Sequence, residues 1–122
     1  MMKKLGIILI GVLLMSACTS ESSYHKISAQ EAKEMMESQD VIIVDVRTQA
    51  EYNEGYIENA ILIPNESISE APRELPDKDA IILVYCRSGK RSKEASDKLV
   101  SLGYTNIYDF GGIIDWPYEI VE

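Results

Sequence analysis

The reactive potential of this 122-residue chain is concentrated in Tyr85-Cys86-Arg87-Ser88-Gly89-Lys90-Arg91-Ser92. Cys86 follows Ile81-Ile82-Leu83-Val84, an apolar β-prone run of the kind that forms a buried strand. A helical pattern follows from Ser92 to Leu102. A cysteine between a strand exit and a helix start meets backbone N–H groups that favour negative charge. Arg87, Lys90 and Arg91 add full positive charges beside it. Such surroundings favour the thiolate, which is the nucleophilic form of cysteine. Gly89 lets the loop curl without a Cβ clash. Ser88 and Ser92 offer hydroxyl donors, and Ser92 is also a plausible N-cap.

The charge balance makes this cluster unusual. The chain carries a formal charge of −8, and −10 once a leader holding Lys3 and Lys4 is removed. An acidic chain of this kind argues against nucleic acid or an anionic membrane patch as partner. Yet Arg87, Lys90, Arg91 and Lys93 crowd a helix start, where acidic residues are the usual choice. An anion-binding loop accounts for that placement better than a solvated helix end does.

Residues 1–17 read as an export signal. Lys3 and Lys4 form its charged region, and Leu5 to Met15 form an apolar stretch too short to span a bilayer. Met15-Ser16-Ala17-Cys18 resembles a bacterial lipobox. The resemblance implies cleavage before Cys18 and lipid on its thiol, anchoring an exported protein on the extracytoplasmic face of a cell membrane. Several acyl chains on one residue hold where a single chain does not. Residues 18–24 then form a lipidated N-terminus and polar tether, and residues 25–122 the folded domain. With Cys18 so used, Cys86 is the remaining thiol.

The elements that must position the loop alternate in type. Tyr24 to Ile27 can form a first strand. Ser28 with Glu31, and Thr48 with Glu51, form two capping boxes, each opening a helix. The second helix is short and stops at Gly55. Val41 to Val44 is a continuous apolar run, as expected of a strand buried on both faces. Asp45 and Arg47 follow it at the sheet's carboxyl edge and are expected to pair and fix that turn. Ile61 to Ile63 is a short strand closed by Pro64, and Ile68 to Leu75 has modest helical spacing. Ala95, Leu99 and Leu102 mark the buried stripe of the helix after the loop, and Gly103 ends it. Asn106 to Asp109 is a last strand, after which Gly111-Gly112 turns the chain towards Trp116, a core plug. This alternation predicts a single α/β domain with a small, mostly parallel sheet flanked by helices. The lone histidine, His25, reads as a surface or packing residue. One histidine and one available thiol make no usual metal set.

With these landmarks in register, the chain resembles the rhodanese-like family. The first landmark is Asp45-Val46-Arg47 with Glu51-Tyr52, Gly55, Ile57, Ala60 and Ile63-Pro64. The second is Val84 to Ser92; the third is Ala95, Leu99, Leu102, Gly103 and Tyr104; the fourth is Gly111-Gly112 with Trp116. Together they cover Ile27 to Trp116. Tyr56 departs from the pattern, standing where the family usually has histidine. The resemblance implies a sulfurtransferase. Cys86 would take a sulfane sulfur from a small anionic donor such as thiosulfate and pass it to cyanide, a thiol or a protein acceptor. Arg87, Ser88, Gly89, Lys90, Arg91 and Ser92 would bind the donor, with Arg87 or Lys90 at its sulfonate end. No cofactor is implied.

Two other functions are compatible with such a loop. Cysteine phosphatases, and phosphatases or arsenate reductases built on this fold, resemble Cys-x5-Arg. Here four residues separate Cys86 from Arg91, a tighter cradle suited to one sulfur. A non-catalytic binding or persulfide-sensing module of the cell envelope is the other, although modules that lose activity usually lose the cysteine.

Overall fold

The computed structural model describes residues 22–122. The expected signal, Cys18 and the first part of the tether lie outside them. One five-stranded sheet organises the chain. In chain order the elements are β1 (Tyr24–Lys26), α1 (Ala29–Ser38), β2 (Ile42–Asp45), α2 (Gln49–Glu54), β3 (Ile61–Leu62), β4 (Ile82–Cys86), α3 (Lys90–Ser101) and β5 (Ile107–Gly112). The strand order is β1-β5-β4-β2-β3, and every pairing in the sheet is parallel. The predicted α/β class and sheet are therefore observed, and the sheet is wholly parallel. Tyr24, at the end of the expected tether, already belongs to β1.

The helix starts form as their sequences require. In both capping boxes the side chain of Ser28 or Thr48 accepts the N–H of the glutamate three residues on. The glutamate carboxylate accepts the cap residue's own N–H in return. Each box satisfies two of the N–H groups that a helix start leaves free.

Strand parity sorts the core. Ile82, Val84 and Cys86 point from β4 towards α3, into a cluster with Val44, Ala95, Leu99 and Tyr104. Leu83 and Tyr85 point the other way, into a cluster with Ala32, Ile43, Phe110 and Trp116. Both faces of β4 are thus covered, and all five of its residues are buried. The same parity places Cys86 beneath the first turn of α3.

Three boundaries differ from expectation. The helix after the loop begins at Lys90, ahead of Ser92, so its N-cap is Gly89 in the left-handed region at φ 112°. No helix forms over Ile68 to Leu75. A 3-10 turn at Asn65–Ser67 is the only helical piece between β3 and β4, because Pro72 and Pro76 interrupt the backbone ladder. Gly111-Gly112 is not the turn itself but the end of β5. A 3-10 turn over Ile113–Asp115 then leads to Trp116, which is buried against Phe110.

Candidate active site

The carboxyl ends of β2, β4 and β5 form one edge, where open α/β sheets place their ligands. Cys86 is the last residue of β4 and is 1% exposed. It is the free cysteine of the described residues. The chain turns back over it through Arg87, Ser88 and Gly89 and enters α3. Gly89 N–H donates to Cys86 Sγ at 2.9 Å. One backbone donor of the loop therefore already serves the sulfur, as an anion cradle requires.

The cations separate into two kinds. Arg87 and Lys90 are exposed and form no ion pair among the described residues. Arg91 is committed to Glu51. Its guanidinium donates to both carboxylate oxygens, at 2.7 and 3.0 Å, in a bidentate pair about a quarter exposed. Ser88 is exposed on the loop. Ser92 is fully buried under it, and its hydroxyl donates to Asp109 Oδ1 at 2.8 Å, with Gly89 O at 3.1 Å as a second acceptor sharing the same proton. Ser92 is therefore neither the N-cap nor a group facing solvent. It is the third residue of α3, tied downward into the sheet.

Glu51 joins two elements. It closes the capping box of α2 and also holds the second residue of α3. The hydrogen bond from Arg91 holds its carboxyl at about 2, below its ordinary 4.5. A carboxyl depressed in the folded state stabilises the fold above its unfolded value, and that contribution is lost as pH falls towards about 2. Glu51→Gln is therefore expected to lower stability by about 1–2 kcal/mol at neutral pH. The gap to wild type should narrow as pH falls below 4.5 and close near pH 2, which urea midpoints measured across that range would record.

Asp45 and Arg47 pair with each other as expected. Arg47 Nε and Nη2 donate to the Asp45 carboxylate at 2.7–3.0 Å, and Nη2 also donates to Gly55 O at 2.7 Å. Both side chains are buried, so this pair fixes the turn after β2. His25 stacks on Tyr108 at 4.6 Å, and Tyr56 stacks on Tyr52 at 4.2 Å. Both are packing roles. Among the described residues no group of His, Cys, Asp or Glu converges in a manner fit to hold a metal.

One residue escapes a reading by pattern. Asp109 lies in the middle of β5, fully buried, with Tyr24, Ser92 and Gly111 as hydrogen-bond donors. A charge inside an otherwise apolar strand was the available signal.

β5 also bears a bulge. Val84 is paired with Asp109 but Cys86 with Gly112, so β5 spends one more residue than β4 over this stretch. Gly111 takes up the irregularity at φ 90°. Gly112 then comes against the backbone of Arg87 and Ser88.

An all-parallel sheet with a buried cysteine at its carboxyl edge, under a glycine-bearing cationic loop, defines an α/β protein with a sheltered thiol at the ligand-binding edge of its sheet. The chain belongs to the rhodanese-like domain family, whose match covers residues 28–117. A sulfurtransferase of Allochromatium vinosum is 38% identical over 86 residues, 70% of this chain and 79% of that protein. A tRNA uridine(34) hydroxylase of Yersinia pestis is 34% identical over 107 residues, 80% of this chain. The chain spans only 29% of that hydroxylase's length. The solved structure of an E. coli rhodanese with anions superposes with a TM-score of 0.62 at 31% identity, covering 68% of this chain and 99% of that one.

Proposed function

We propose that this protein is a thiosulfate-type sulfurtransferase working through a persulfide on Cys86. The reading rests most directly on the buried Cys86 thiol, with the Gly89 N–H at 2.9 Å and two exposed, unpaired cations, Arg87 and Lys90, in the stretch that follows it. In the first half-reaction the Cys86 thiolate attacks the outer sulfur of thiosulfate. A Cys–S–S bond forms, the S–S bond of thiosulfate breaks, and sulfite leaves with the electron pair. In the second half-reaction cyanide or a thiolate attacks the outer persulfide sulfur, and Cys86 leaves as thiolate. The Gly89 N–H would stabilise the charge on the cysteine sulfur in the thiolate that begins and ends the cycle. Arg87 and Lys90 would hold the sulfonate end, while Arg91 keeps the loop in place through Glu51.

The cellular setting belongs to the same proposal. Lipid on Cys18 would anchor the domain to the extracytoplasmic face of a cell membrane, with the donor and acceptor met in the envelope. Mass spectrometry of the domain after incubation with thiosulfate provides the test. Gain of one sulfur atom on the Cys86 peptide, reversed by cyanide, is expected. A Cys86 that gains no sulfur would leave a binding module as the better account. Hydrolysis of an aryl phosphate in its place would point to a phosphatase.

A further inference from the structure

Burying a carboxylate costs several kcal/mol unless it is well paired. Asp109 is wholly buried in β5, and no cation lies within ion-pair distance of it among the described residues. Neutral donors surround it instead, and each comes from a different place. Tyr24 Oη of β1 donates to Oδ2 at 2.8 Å. Ser92 Oγ of α3 donates to Oδ1 at 2.8 Å, and the Gly111 N–H of the bulge donates to Oδ1 at 3.0 Å. The Tyr24 phenol is held strongly in its protonated form, first by burial and then by this bond to Asp109.

The bonds continue to the sulfur. Ser92 Oγ also meets Gly89 O at 3.1 Å, and Gly89 N–H reaches Cys86 Sγ. A Cβ added at Gly89 would stand 3.7 Å from Gly111 Cα, so the bulge and the loop touch at two glycines. Asp109 therefore grips both walls that flank Gly89, the residue joining the peptide group that meets Ser92 to the one that meets the sulfur: the first turn of α3 through Ser92, and the bulge through Gly111.

We propose that Asp109 is the positioning residue of the Cys86 loop, setting the direction of the Gly89 N–H through Ser92 and Gly111. An apolar side chain of similar shape would fill the strand without burying a charge. What it would lack is acceptors for three donors on three elements. Its effect on turnover rests on the persulfide reading above; its effect on loop geometry does not.

Amide hydrogen exchange followed by NMR separates the two. Ser92→Ala keeps the helix and breaks the link between Asp109 and Gly89. It should speed exchange at Gly89 about tenfold, leave the β4 amides of Leu83 and Val84 unchanged, and lower kcat with KM for thiosulfate intact. Asp109→Leu should do the same or more. Asp109→Asn, which keeps an acceptor oxygen for Ser92 and Gly111, should stay within about twofold of wild type. If Asp109→Leu does not fold, Ser92→Ala alone decides. Wild-type exchange at Gly89 in folded Ser92→Ala overturns the proposal. A wild-type protein without any sulfur transfer would overturn the catalytic reading and leave the exchange result standing.

Discussion

Cys86→Ser is expected to abolish sulfur transfer from thiosulfate to cyanide, a loss of at least about a thousandfold, or roughly 4 kcal/mol of barrier. A serine hydroxyl is scarcely ionised at neutral pH and forms no persulfide. The fold should survive the change, since serine is close to cysteine in shape and its oxygen can accept the Gly89 N–H that now meets Sγ. Cys86 belongs to the apolar cluster beneath α3, so a small loss of stability, about 1 kcal/mol, is expected. Steady-state rates and thermal melts on both proteins provide the check. Residual transfer at the wild-type rate would move the nucleophile elsewhere, although no other free cysteine exists among the described residues.

Gly112→Ala should carry the next largest loss of activity, for a steric reason. Gly112 has φ −125° and ψ 148°, a conformation any residue adopts. Its need for glycine is one of space. A Cβ there would overlap the Arg87 carbonyl oxygen and lie 2.6 Å from Ser88 Cα. Both neighbours are backbone, so the strand end and the loop must part. The Arg87 carbonyl also accepts the Ile114 N–H at 3.2 Å, which ties the loop to the segment after β5. Overpacking of this kind costs about 1–3 kcal/mol. A loop displaced by about 1 Å costs about a hundredfold in rate. Gly103→Ala is the matching control. Gly103 is strained for other residues at φ 102°, but only the flexible Lys78 side chain lies near the added carbon. It should lose about 1 kcal/mol of stability and keep its kcat. Equal rates for the two variants would remove the steric argument.

The parts of the fold that local patterns describe were readable in advance. The apolar runs became β2 and β4, and both capping boxes closed as written. Asp45 and Arg47, two residues apart, met as their spacing allowed. The parts that depend on distant contacts were not readable. Arg91 looked like a free cation until Glu51, 40 positions away, came beside it. Ser92 looked like a helix cap until Asp109, 17 positions away, claimed its hydroxyl. In both cases the local context allowed two roles, and only the packing of α3 on the sheet chose between them. The absent helix at Ile68 to Leu75 is a different case, because two prolines outweighed a weak periodicity.

The order of strands also bears on when the site comes into being. Among the described residues β1 is the first strand in sequence, yet its one neighbour in the sheet is β5, the last. Its pairing closes a loop of some 80 residues, slow relative to local contacts. A chain emerging N-terminus first therefore completes this sheet only after Ile107–Gly112 has appeared. Until then the bulge that backs the cysteine loop is missing, and so is the carboxylate beneath it. The thiol emerges about 20 residues before the strand that shelters it, and that interval is when it is most open to unwanted chemistry.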